Sequence, residues 1–326
     1  MKKKLPEKKK SPHKPVKKFK PKVGLSKLPL EKGSMDDKAG LESVMASLGK
    51  ILDGKEFLSD LDLDAFLDSK MATGEIPPSM DLDPLDEAQS LIYEAWNTEG
   101  PEKIRLARRA LELSEDCGDA YIILAEEDAK SLIAARDLYH KGMQAAKRAL
   151  DPTLFKNGVG HFWGIMETRP FMRAKFGYAE CLSELGKYPE AMTEFRELLR
   201  LNPADNQGVR YLLIQRLLES GGEGELGELL ERYHDDVSAE FRYTHALWMF
   251  RHEGKSERAL QLLTEAIECN SHVPAYLMRR KKLPKEIPDS LAFGSIEEAE
   301  SYAILGINAW HGTLGALDWL ATHSKV

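Results

Sequence analysis

The chain has 326 residues, 42% of them hydrophobic and 30% charged, with a formal net charge of −7. That length supports one large domain or two small ones with a substantial core. Its apolar runs are short, such as "YIILA" at Tyr121–Ala125. None approaches the roughly 18–20 residues a membrane-spanning helix needs, which predicts a soluble, cytoplasmic protein.

The chain opens on a lysine- and proline-rich segment. Residues 1–32 hold 13 lysines, no arginine and 2 glutamates, whereas the rest of the chain is strongly acidic. No apolar stretch follows the lysines, so a secretory signal is not expected, and the lack of arginine argues against a transit peptide. Residues 1–34 cannot bury enough apolar surface to offset chain entropy, and a disordered basic arm is expected. It has three readings: attraction to RNA or another polyanion, docking on the acidic body, or a role in solubility. Phe19 is the arm's lone aromatic residue, too few for a base-stacking platform.

Residues 35–83 form an acidic segment. Within it, Leu41, Val44, Met45, Leu48 and Leu52 fall at i, i+3, i+4, i+7 and i+11. The spacing predicts a short amphipathic helix, which either flanks the main domain or folds on a partner. A linker, "MATGEIPPSMDLDP", then leads to a helical domain over residues 84–326. In that domain β-branched alternation is missing, and glycine or proline breaks recur at helical lengths. An all-α fold of about a dozen short helices is expected.

Internal repetition is the strongest signal. In "AKFGYAECLSELGKYPEAMTEFRELLRLNPADNQG" and "RYTHALWMFRHEGKSERALQLLTEAIECNSHVP", Gly186 matches Gly254, Lys187 matches Lys255 and Ala191 matches Ala259. Each pair is 68 residues apart, twice a 34-residue helix–turn–helix period. Gly186 and Gly254 suit the left-handed residue that ends a first helix. Ala191 and Ala259 are small where two helices approach. Phe195 with Leu263, and Leu198 with Ala266, fill the following turns. Between these units lies a degenerate one, whose turn is marked by Gly221, Gly222 and Gly224. Upstream, "ALE" and "ALD" each end a second helix, at a spacing nearer 39 residues. Downstream, Ser295 and Glu298 form a capping-box pair, and "TLGALDWLATH" reads as a terminal capping helix.

These repeats resemble the tetratricopeptide family, and the fold implied is an all-α superhelix of helix–turn–helix pairs, an α-solenoid. "CGDAYIILAEE", "GHFWGIMETRPFMRA", "LRLNPADNQGVRYLL" and "FGSIEEAESY…AWHGTLGALDWL" further resemble a bacterial tetratricopeptide family, distantly akin to the helical suppression-of-tumorigenicity proteins. The resemblance covers about residues 84–322 and implies a fold but no known catalytic activity. It also implies partner binding on a concave face lined by first helices. Arg173, Tyr178, Asn206, Arg210, Tyr243 and Trp248 are the candidates for that face. The family's carboxylate-clamp subgroup places Lys and Asn at set first-helix positions. This chain departs from it, with Arg210 as the one basic match and Phe176 and Thr244 in the neighbouring slots.

Catalytic constellations are not legible. Nucleophile elbows, P-loops, H-E-x-x-H and G-x-G-x-x-G turns after a strand are absent, and the glycine-rich "GGEGELG" at 221–227 is read as lying between helices, with no Lys-Ser/Thr ending. Cys117, Cys181 and Cys269 are odd in number and far apart, which fits a reducing compartment without a disulfide framework. No metal or other cofactor is expected. The stretch "HFWGIMETRP" at 161–170 is the one segment with the look of chemistry. Its structural reading is a junction in which Phe162, Trp163, Ile165 and Met166 pack while His161, Glu167 and Arg169 satisfy polar groups. Its functional readings are a pocket beside Trp163 and Arg169, or an acid–base pair of His161 and Glu167. The expected function is a non-catalytic adaptor that binds a protein or peptide. Association with nucleic acid or the ribosome through the basic arm is the alternative, and an enzyme near His161–Arg169 the remote one.

Overall fold

The computed structural model describes Glu42, residues 83–285, Pro288 and residues 291–324. The basic arm and the short amphipathic helix of the acidic segment, Glu42 apart, lie outside the described residues. From residue 83 onward the described chain is helical and carries no strand. The helices are α1 (Pro84–Trp96), α2 (Pro101–Leu113), α3 (Gly118–Glu127), α4 (Leu132–Ala149), α5 (Leu154–Asn157), α6 (Arg169–Glu184) and α7 (Tyr188–Leu201). They continue as α8 (Val209–Ser220), α9 (Glu223–Arg232), α10 (Ala239–Glu253), α11 (Glu257–Cys269), α12 (Val273–Leu277), α13 (Ile296–Gly312) and α14 (Ala316–His323).

They pack as consecutive pairs: α1 with α2, α3 with α4, α6 with α7, α8 with α9, α10 with α11, and α13 with α14. First helices also touch along the array, α3 against α6 and α10 against α13. The cause is visible in the 68-residue register. Gly186 and Gly254 take φ of 74° and 66°, a region that strains side chains with a Cβ, and so let the chain reverse after α6 and α10. Ala191 and Ala259 are fully buried in the second helices, as are Phe195 and Leu263 one turn on. Each large buried side chain contributes about 1.5–3 kcal/mol.

Short polar residues start the helices. Ser131, Ser238, Ser256 and Ser295 each accept a hydrogen bond from the backbone N–H three residues on, at 3.1–3.2 Å. A Ser-to-Ala change at such a site costs about 1 kcal/mol.

The irregular spacings have concrete sources. α4 has 18 residues where α2 has 13, which accounts for the longer upstream repeat. Between α4 and α6 the chain inserts α5 and two 3-10 turns, Phe162–Gly164 and Met166–Thr168. Between α11 and α13 it inserts α12. At the C-terminal end, α14 lays Trp319 on Phe250 of α10, with ring centroids 4.5 Å apart. Trp310 and Trp319 are both fully buried, consistent with a helix that covers the end of the core.

Candidate functional site

The stretch 161–170 is the junction between the second and third complete pairs. Phe162 is fully buried, and Trp163, Ile165 and Met166 are half-buried. Phe162 packs between Phe155 and Phe171 at centroid distances of 5.3 and 6.3 Å. The polar assignments differ from the expectation. His161 and Glu167 are exposed. Thr168, which is fully buried, does the satisfying: its hydroxyl donates to the carbonyls of Phe162 and Ile165. Arg169 donates from Nε to the Trp163 carbonyl at 3.0 Å and lays its guanidinium over the Trp163 ring at 5.4 Å.

Arg169 opens α6, and Arg173 follows one turn later on the same face. Arg173 donates from Nε and Nη2 to the two oxygens of Asp119 on α3, at 2.9 and 2.6 Å. Asp119 is only 1% exposed, and Gln89 of α1 donates to it at 3.1 Å. The Arg173 guanidinium also lies 5.0 Å from the ring of Trp96, at the end of α1. Its remaining nitrogen, Nη1, donates to both carboxylate oxygens of Glu42, at 2.9 and 3.1 Å. Arg169 Nη1 stands 3.5 Å from the same carboxylate. Burial opposes the Arg173 charge, but Asp119 and Glu42 overcome it and hold the guanidinium above its ordinary pKa. Three helix pairs and the junction thus converge on two arginines, each over an indole ring.

The other arginine singled out from sequence is saturated internally. Arg210 donates to Asp236 at 2.7 Å, to Asp205 at 3.0 Å and to the Tyr211 hydroxyl at 2.8 Å. The Tyr211 hydroxyl in turn donates to Asp236 at 2.7 Å. Asp205, itself at φ 52°, also accepts from the backbone of Val209 and Arg210 and so fixes the start of α8. This network braces the turn into the fourth pair.

The remaining candidates are scattered. Asn206 is exposed in the loop before α8, and Tyr178 is half-buried beside His140 at 5.1 Å. Trp248 donates from its indole N–H to the Glu223 carbonyl at 2.9 Å and lies on Gly227. Tyr243 must be corrected: it is fully buried, donates to the Asn270 carbonyl at 2.7 Å and packs on Tyr302 and Trp310. It presents no surface to a partner.

Sequence reasoning missed three features. Glu42 carried no local sign of its partners. Glu298 was read as a capping-box residue, yet its buried carboxylate accepts from Ala239 N, Asn270 Nδ2 and Gly294 N at 2.8–2.9 Å. Glu240, also buried, has a carboxyl pushed up to about 8 by burial and by the neighbouring charges of Asp236 and Glu298. The three thiols all stand above the ordinary thiol range. Burial pushes Cys117 and Cys181 up to about 12 and Cys269 up to about 11.

Fold and site together define an all-α array of consecutive helix–turn–helix pairs, with a cationic, aromatic site where its first three pairs converge. No helix among the described residues is long and apolar enough to cross a membrane. The chain belongs to the ST7 protein family, whose model matches residues 79–325. It is 29% identical over 259 residues to the Protein ST7 homolog of Drosophila melanogaster, covering 72% of this chain and 48% of that protein. It is 28% identical to the suppressor of tumorigenicity 7 protein-like of Danio rerio, over 74% of this chain and 45% of that one. Against the human suppressor of tumorigenicity 7 protein-like the identity is again 28%, over 74% and 46%. The chain therefore spans about half the length of the curated relatives it matches. The kinship expected from sequence to be a distant one is the family itself.

Proposed function

We propose that the chain is a non-catalytic adaptor whose tetratricopeptide-like helical pairs hold a segment of another protein. The observation that carries this reading is the Arg169–Arg173 face. Two guanidiniums one turn apart on α6, both partly exposed, lie over two indole rings, Trp163 of the junction and Trp96 of α1, in an array whose pairs succeed one another. Arrays built this way expose long surfaces for extended partners, and arginine with tryptophan is the pairing that dominates binding energy at protein interfaces. Among the candidates from sequence, Trp163, Arg169, Arg173, Tyr178, Asn206 and Trp248 remain available in part to a partner. We place the protein in the cytoplasm on the same reading.

The test is affinity purification with the full-length chain and with Trp163→Ala and Arg169→Ala. Charge reversal at Arg173 or Arg210 is the poorer choice, because it would bring buried carboxylates against a new negative charge. The reading expects a defined partner set, depleted at least tenfold by either variant. An unchanged set would remove this face from the account.

A second reading rests on the charge asymmetry, 13 lysines in residues 1–32 on an otherwise acidic chain. It expects RNA or DNA binding that weakens steeply between 50 and 200 mM salt, as counterion release requires. Deleting residues 1–32 should abolish it, and equal binding without them would refute it.

A further inference from the structure

We propose that the Arg169–Arg173 pair is a receptor for one carboxylate side chain of an acidic protein segment, and that Glu42 of this same chain fills it as a tethered ligand. The proposal deepens the adaptor reading and rests on it.

The first argument is charge. The receptor's built-in groups are two guanidiniums and one buried carboxylate, Asp119, which leaves an excess of one positive charge in a largely desolvated place. With Glu42 in place, the side chains of Arg169 and Arg173 are only 23% and 21% exposed. Burying a charge without a partner is costly, so the site calls for an anion. Glu42 supplies it and is itself only 13% exposed.

The second argument is geometry. Every nitrogen that faces Glu42 is aimed by a group other than Glu42. Asp119 takes Nε and Nη2 of Arg173 in a fork, so its Nη1 must point outward. The Trp163 carbonyl takes Nε of Arg169, so its Nη1 points to the same spot. The indoles of Trp96 and Trp163 hold the two planes from one side. The groups that aim these nitrogens are not supplied by the ligand, and such preorganisation favours affinity. Arg210 provides the contrast, because Asp205, Asp236 and Tyr211 occupy its nitrogens.

The third argument is connectivity. The receptor is built by α1, α3, α6 and the junction before α6. Glu42 has helical backbone and reaches the site from outside that array, separated from Asp83 by 40 residues. Fully extended, that length spans about 130 Å, so the covalent link to Asp83 alone does not fix Glu42 at the site. It behaves as a ligand at high effective concentration. An incoming segment with a carboxylate of the same kind competes with it for one site. Neither arginine occupies the clamp slots at Phe176, Arg210 and Thr244, so this is not a C-terminal carboxylate clamp moved by a repeat.

The experiment uses the full-length chain and a fluorescent peptide of its own residues 36–52 as the probe, read by anisotropy. In the wild-type chain the tethered Glu42 competes, and the peptide should bind at least tenfold more weakly than to Glu42→Lys, where the new charge is repelled. Glu42→Gln is the milder second variant and should fall between them. The peptide carrying Glu42→Gln should lose at least tenfold on the Glu42→Lys chain, and so should the normal peptide on Glu42→Lys with Arg169→Ala. Equal binding to wild type and both variants, or equal binding of the two peptides, overturns the proposal. A Glu42-dependent dimer in sedimentation would overturn the tethered assignment, because a second copy would then fill the site. The probe involves no outside partner. Failure of the peptide test thus leaves partner capture through Trp163 and Arg169 standing, and failure of capture leaves the peptide result standing.

Discussion

Replacing Glu298 by alanine is expected to cost the fold about 3–4 kcal/mol. Its carboxylate joins three separate pieces of chain: the first turn of α10 through Ala239 N at 2.9 Å, the end of α11 through Asn270 Nδ2 at 2.9 Å, and the loop before α13 through Gly294 N at 2.8 Å. A buried donor left without an acceptor costs about 1–3 kcal/mol. Ala239 and Asn270 are buried and carry that penalty, whereas Gly294 is exposed and its N–H can turn to water. Glutamine offers one accepting oxygen and sets its NH2 against the remaining donors, so Glu298→Gln should lose about half as much. Urea unfolding read by tryptophan fluorescence suits the question, because Trp310 of α13 and Trp319 of α14 are fully buried. Glu228→Ala, at an exposed site on α9, serves as control and should stay within about 0.5 kcal/mol. A loss below 1 kcal/mol in Glu298→Ala, or equal losses in the two variants, would refute the reasoning.

Other expectations are as direct. Folded Glu240 keeps a proton up to about pH 8, whereas its ordinary value is 4.5. Stability from this group is therefore full below about pH 4.5 and falls as pH rises toward 8. Glu240→Gln should be nearly neutral at pH 5 and stabilising by on the order of 1–3 kcal/mol at pH 9, and equal shifts in Tm at both pH values would contradict this. A methyl group at Gly177 would sit 2.3 Å from Cε1 of Tyr139, so Gly177→Ala should cost about 1–3 kcal/mol. Tyr139→Leu in the same chain should relieve part of that cost in a double-mutant cycle, and strict additivity would show that the ring moves freely.

The sequence made the array legible where one residue type serves one local purpose. Gly186 and Gly254 reverse the chain, Ala191 and Ala259 allow close packing, and both facts survive in a single chain as a 68-residue echo. The cap at Ser295 was legible for the same reason, since capping is decided within four residues. Orientation about a helix axis was harder to read. α10 buries Phe241, Tyr243, Leu247 and Phe250 on several sides, so its pattern does not say which side is free, and Tyr243 was placed outward. Arg169 and Arg173 were legible as separate candidates, but their meeting on one carboxylate was not. Their partners lie on α1, α3 and at Glu42, and only the fold brings those together. Glu298 shows the same limit. Its local cap was correct at Ser295, while its side chain serves contacts 28 and 59 residues away.

On the adaptor reading, the face around Trp163, Arg169 and Arg173 receives another protein segment. A photoreactive phenylalanine analogue in place of Trp163 in the full-length chain, irradiated in cells, tests it most directly, with the same analogue at exposed Glu112 as control. The expected result is one or a few discrete protein adducts at position 163, absent at position 112 and more abundant when Glu42 is changed to Lys. Adducts equal at both positions, or none at position 163 in either background, would contradict the claim.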